Sequence, residues 1–169
     1  MINEKIVFDF LNTNNIKYTL YKHQAVFTSD EKPILIDSDL DEIPGMQSKN
    51  LFLKDTKNTF YLVSIDEHKR VDLKALSTEL ECGRFSFGKA ENMLELIKLE
   101  PGSVTPFGLM FDQEKKVTFV LDQDFMTSTY VNFHPLKNNM TIGLRPEDFL
   151  TCMQKIGHEP IIIKIPVRN

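Results

Sequence analysis

Tryptophan is absent from this chain of 169 residues, and cysteine and glycine are scarce, at 2 and 7. Cys82 and Cys152 can build neither a disulfide framework nor a four-thiolate metal centre. They are expected to be partly buried free thiols in a reducing compartment. No GxGxxG, Walker A, HExxH or GxSxG pattern occurs. His23, His68, His134 and His158 stand far apart without ligand spacing, so no metal and no cofactor is expected. No run approaches the ~20 apolar residues of a membrane span. Glu4, Lys5 and Asp9 interrupt the first apolar residues, which is unlike a leader peptide. These absences point to a cytoplasmic protein with no membrane partner.

Charge of one sign is also in short supply. The net charge of −4 argues against DNA or any partner held by bulk positive charge. The balance is uneven. Residues 1–48 carry 4 basic and 8 acidic side chains, residues 49–89 carry 8 and 6, and residues 90–169 carry 8 and 10. A modestly basic centre permits a local phosphate contact without demanding one. Hydrophobic content of 41% and charged content of 26% suit one folded domain over residues 1–169.

Apolar periodicity predicts a helix over 2–13, with Ile2, Ile6, Val7, Phe10 and Leu11 as its stripe. Ile16 to Tyr21 alternates as a strand. Thr28 to Glu31 has capping-box spacing and predicts a short helix start. The acidic stretch 37–42, closed by Pro44-Gly45, reads as a loop. Strands over 50–55 and 59–65 flank a hairpin turn at Thr56-Lys57-Asn58. Helices are expected over 72–80 and 90–99, the second burying Met93, Leu94 and Ile97. Further strands fall at 84–87, 117–121, 129–133, 140–144 and 161–165. A last helix opens at Pro146 and stops at Gly157. The expected class is mixed α/β (α+β), with a mixed, largely antiparallel sheet.

Four runs remain: Lys49-Asn50-Leu51-Phe52-Leu53-Lys54-Asp55, Lys69-Arg70-Val71-Asp72-Leu73, Gly102-Ser103-Val104-Thr105-Pro106 with its neighbours from Glu100 to Gly108, and Asn132-Phe133-His134-Pro135. A lysine at the mouth of an apolar strand can hold its ammonium over a pocket. Glycine lets a loop backbone approach a ligand closely, and proline fixes the loop's exit. A lone histidine at a strand end is more often structural than catalytic. In this order and spacing the runs resemble the prolyl-tRNA editing family, which includes YbaK-like proteins and the editing domain of bacterial prolyl-tRNA synthetases. The resemblance spans about His23 to Pro160, and is nearest to the free-standing Ala-tRNA(Pro) deacylases.

That resemblance implies a partly barrel-like sheet with surrounding helices. It implies hydrolysis of a mischarged aminoacyl ester by water, assisted by the tRNA's own ribose and without metal. By the same resemblance Lys49, Gly102 and His134 are the catalytic residues, with Lys49 at the terminal nucleotide. Asn50, Ser103, Thr105 and Pro106 are expected to bind substrate. So are Phe27 and Thr28, in the segment that borders the family's pocket. Here Gln24-Ala25 stands where relatives often carry proline after the histidine. Lys69 and Arg70 are expected mainly to shape a basic turn, with a contact to tRNA phosphate. The implied partners are the 3′ end of aminoacylated tRNA(Pro) and a prolyl-tRNA synthetase. Two alternatives stay open: a deacylase for Cys-tRNA(Pro) or another aminoacyl-tRNA, and a non-catalytic module binding tRNA or a synthetase.

Overall fold

The structure is a computed structural model and describes residues 3–26 and 32–169. The capping box over 28–31, Phe27 and Thr28 therefore lie outside the described residues.

Helix α1 (Glu4–Thr13) starts two residues later than the apolar stripe predicts because Asn3 caps it, its side chain accepting from the Lys5 amide at 3.0 Å. Val7 and Leu11 are its buried residues. Strand β1 (Thr19–Lys22) follows, and then the long hairpin β2 (Met46–Lys54) and β3 (Phe60–Asp66). After a short β4 (Arg70–Val71) come α2 (Leu73–Glu79), β5 (Ser86–Phe87) and α3 (Ala90–Ile97). Strands β6 (Val117–Asp122), β7 (Val131–Phe133) and β8 (Met140–Leu144) precede α4 (Pro146–Ile156). Strands β9 (Ile161–Ile163) and β10 (Val167–Arg168) end the chain.

The main sheet runs β1-β8-β7-β2-β3-β6-β9, with β5 beside β2, and β4 pairs with β10 separately. Antiparallel pairs form at β1–β8, β7–β8, β2–β3, β2–β5 and β4–β10. The other pairs are parallel: β2–β7, β3–β6 and β6–β9. Hairpin signals cannot reveal these pairs, because parallel strands are joined by long crossovers.

Two apolar clusters result. The larger holds α1, α3 and α4 through Val7, Leu96, Phe149 and Met153. Phe149 stacks on Phe133 at 4.3 Å and meets Phe107 and Phe119 edge-on. The smaller cluster joins Leu53, Val63, Ile65 and Val120 to Leu76 of α2. Cys152 is fully buried, and burial pushes its thiol up to about 12, which leaves it an inert packing group. Leu94, expected inside α3, is 56% exposed; Leu96 is buried in its place, beside Met93 and Ile97.

The β2–β3 turn is held by one carboxylate. Asp55 Oδ1 accepts from the amides of Lys57 and Thr59, and Oδ2 accepts from Gly83 at 3.2 Å. Burial would raise this carboxyl, but the amides of Thr59, Gly83 and Lys57 outweigh it and hold it below its ordinary 3.8. A carboxyl lowered in the folded state contributes stability that is complete above its unfolded value and lost as pH falls through the folded one. Asp55→Asn should therefore destabilise the protein by about 1–3 kcal/mol at neutral pH. The gap to wild type should close in urea titrations below about pH 3.8. A constant gap at every pH would remove the charge from this account.

Candidate active site

The β2–β7 junction builds the site. Gly45, before β2, has φ +95°, and a Cβ there would lie 2.5 Å from the Tyr130 carbonyl oxygen, so the chain can cross at this point only as glycine. The Met46 amide donates to that same carbonyl at 2.9 Å. Asn132, 1% exposed, donates from Nδ2 to the carbonyls of Pro44 and Met46. The Ser48 hydroxyl donates to the Asn132 carbonyl at 2.7 Å. These bonds bring the start of β2 against the end of β7, two runs separated by some eighty residues of chain.

Between them opens a cavity of about 230 Å³. Lys49, Asn50, Gly102 and His134 all line it, drawn from three of the four runs. Asn50 is fixed on both sides: Ser64 Oγ donates to its Oδ1, and its Nδ2 donates to Ser48 Oγ at 3.2 Å. Lys49 Nζ donates to the Lys69 carbonyl oxygen. Gly102 has φ +91°, and a Cβ built on it meets no described atom within 4 Å. Glycine is needed there for the backbone rather than for room.

His134 stands just beyond β7. Its Nδ1 lies 2.8 Å from the Met140 carbonyl, which can only accept, so Nδ1 carries the proton and Nε2 is the acceptor of the neutral ring. Burial pushes the imidazole below its ordinary 6.5; the Met140 carbonyl opposes this and nearby His23 reinforces it. The rings of His23 and His134 are 6.0 Å apart. His23, 2% exposed, donates from Nδ1 to the Gln24 carbonyl, and its Nε2 is hydrogen-bonded to Thr141 Oγ1 at 2.8 Å.

Other expected site residues fall elsewhere. Thr105 is fully buried, and its hydroxyl caps a 3-10 turn (Pro106–Phe111) by accepting from the Phe107 amide. Pro106 is the first residue of that turn and is buried with it. Neither residue lines the cavity, nor does Ser103. Lys69 Nζ donates to Asp124 and lies 3.7 Å from Asp122, and these partners, Asp124 first, raise the ammonium above its ordinary value. Arg70 is exposed on β4, paired with Arg168 across the small ribbon. Phe27 and Thr28 lie outside the described residues, although Val26 and Pro33 on either side do line the cavity.

The cavity also contains residues to which the sequence reading gives no site role: His23, Ser48, Glu67, Asn132 and Thr141. Asn132 lies in the same run as His134, two residues earlier. Glu67 lies in none of the four runs. It follows β3 in a turn, and its amide bonds to the Gln47 carbonyl at 3.1 Å. It is the one acid lining the cavity among the described residues. Burial raises its carboxyl, against the pull of His68 and Lys49. Among the described residues no group of His, Cys, Asp and Glu could hold a metal ion, and no helix is long and apolar enough to cross a membrane.

A family model described as an aminoacyl-tRNA editing domain matches residues 39–152. The chain belongs to that family. Its match takes in Lys49, Asn50, Gly102 and His134, all of which line the cavity. A protein of Xenopus laevis named prolyl-tRNA synthetase associated domain-containing protein 1 is 37% identical over 159 residues, covering 91% of this chain and 92% of its own. A protein of Acetoanaerobium sticklandii named prolyl-tRNA editing protein ProX is 34% identical, covering 88% of each chain. A solved structure described as a proposed trans-editing enzyme for prolyl tRNA synthetase superposes with a TM-score of 0.71 at 17% identity, covering 98% of this chain and 99% of that one. The crystal structure of hypothetical protein APE2540 does so equally well, at 16% identity with 94% and 97% covered. At such identities these two structures establish the shared fold.

Two measurements follow from the geometry. Gly102→Ala should cost about 1–2 kcal/mol in urea unfolding, because an L side chain is strained at this φ. An unchanged midpoint would mean that the loop adopts another conformation. In an imidazole NMR titration, His134 should titrate below 6.5 with Nδ1 protonated in the neutral ring. Because the unfolded histidine takes up its proton first, this group should lower stability as pH falls through 6.5. Titration at or above 6.5 would refute the burial argument.

Proposed function

We propose that the protein is a free-standing aminoacyl-tRNA deacylase that hydrolyses Ala-tRNA(Pro). The reading rests above all on the convergence of Lys49, Asn50, Gly102 and His134 on one cavity of about 230 Å³. Family membership and the names of the relatives, which refer to prolyl-tRNA editing and to prolyl-tRNA synthetase, support it. The acceptor end of tRNA charged by that synthetase is taken as the substrate, and the cytoplasm as its compartment.

Water adds to the acyl carbon, the bond between that carbon and the ribose oxygen breaks, and the ribose oxygen leaves with a proton. The products are free alanine and tRNA(Pro). The adjacent ribose hydroxyl guides the water. Lys49 carries positive charge at the terminal nucleotide, Asn50 is held for hydrogen bonding, and Gly102 lets the loop backbone approach the aminoacyl group. His134, neutral near pH 7, offers Nε2 as an acceptor rather than a charge. The protein's contribution is orientation and fixed electrostatics.

Size decides the substrate. A synthetase pocket built for proline gains only about 1–3 kcal/mol against a smaller amino acid. A second pocket, walled by Val26, Val104 and Phe133, excludes the larger cognate residue instead.

The test is deacylation of Ala-, Cys-, Ser- and Pro-tRNA(Pro) by wild type, Lys49→Ala and His134→Ala, with chelator present. Alanine should be released selectively, and Lys49→Ala should lose roughly hundredfold in kcat/KM. Preference for cysteine would keep the chemistry and change the substrate. Binding of tRNA without turnover of any ester would leave a non-catalytic module.

A further inference from the structure

Behind the cavity, two acids hold a lysine that in turn holds Lys49. Asp122, at the end of β6, is 2% exposed. Its Oδ1 accepts from the Ile165 amide at 3.0 Å, which fixes the carboxylate in place. Its Oδ2 has no hydrogen-bond partner among the described residues, and faces Lys69 Nζ at 3.7 Å. Asp124, in the 3-10 turn Gln123–Thr127 after β6, accepts from the same Nζ. The Lys69 backbone is held as well: its amide donates to the Asp66 carbonyl at 3.0 Å, and β4 begins at the next residue. What remains of Lys69 is its carbonyl oxygen, and that accepts from Lys49 Nζ.

We propose that the ion pair of Lys69 with Asp124, backed by Asp122, is a positioning device that aims Lys49 into the cavity. The strand register, Lys49 opposite Ile65, fixes where the Lys49 side chain starts. The Lys69 carbonyl fixes where its long, flexible stem ends. Lys69 is thus a positioning residue that acts through Lys49, and its own ammonium is engaged away from the substrate. The catalytic consequence rests on the deacylase reading above; the position of Lys49 does not.

The experiment therefore has two arms, run on Lys69→Met, Lys69→Arg and Asp124→Asn, each checked for an intact melting transition. Asp124 is partly exposed, so its substitution provides a variant that folds if Lys69→Met does not. The first arm measures acetylation of Lys49 by N-hydroxysuccinimidyl acetate, using mass spectrometry with exposed Lys5 as the reference. Lys49 should react severalfold faster in Lys69→Met and Asp124→Asn, and at the wild-type rate in Lys69→Arg. The second arm measures Ala-tRNA(Pro) deacylation. Lys69→Met should lower kcat/KM roughly tenfold, as a misplaced group does. Lys69→Arg should restore it, and Lys69→Met should add nothing in a Lys49→Ala background. Unchanged Lys49 reactivity in both folded variants, or losses that multiply in the double variant, would overturn the proposal. If wild type turns over no ester, the deacylase reading fails while the acetylation arm still decides the positioning.

Discussion

The crossing of β2 and β7 is the contact on which the cavity depends. Only two residue pairs, Met46 with Val131 and Gln47 with Asn132, form the parallel register between these strands. So short a ladder is weak by itself. It is reinforced by the buried Asn132 amide, which satisfies two carbonyls of the incoming chain, and by the Ser48 hydroxyl. Gly45 permits the close approach that these bonds require. Without this crossing, the β2 residues Lys49 and Asn50 would have no fixed relation to His134.

The cavity's charge pattern follows from burial. A sheltered histidine whose Nδ1 is committed to a carbonyl stays neutral. A sheltered Glu67 is pushed toward its protonated form, although Lys49 opposes this. Lys49 lines the same cavity. Such a site suits the proposed reaction, in which positioning does most of what the protein contributes. The motif residues Thr105 and Pro106 do not line the cavity. They cap and start the turn that delivers Gly102 and Val104 to the cavity.

Elements with strong local signals were readable from the chain. The apolar stripe of α1, the Asp72 cap of α2, the Pro146 and Gly157 ends of α4 and the β2–β3 hairpin all appear where the pattern puts them. The 3-10 turns at 106–111 and 123–127 were not, because segments so short carry no period. Nor were β4 and β10, each two residues long, whose pairing joins distant parts of the chain. Leu94 shows the limit of periodicity: a stripe tells that a helix is amphipathic, while packing decides whether Leu94 or Leu96 turns inward.

Of the site, the sequence alone determined the residue types: a lysine and asparagine before an apolar strand, a glycine ahead of proline in a loop, and a histidine ending a strand. Those identities carried the family resemblance. Tertiary structure decided which of them meet. It brought Lys49, Asn50, Gly102 and His134 to one cavity, turned Lys69 toward Asp122 and Asp124, and added Glu67, which no local motif marks. The physical reason is that chemistry resides in side chains, which are written in the chain. Proximity comes instead from parallel pairing and buried hydrogen bonds between segments many residues apart, and no short window of sequence records either.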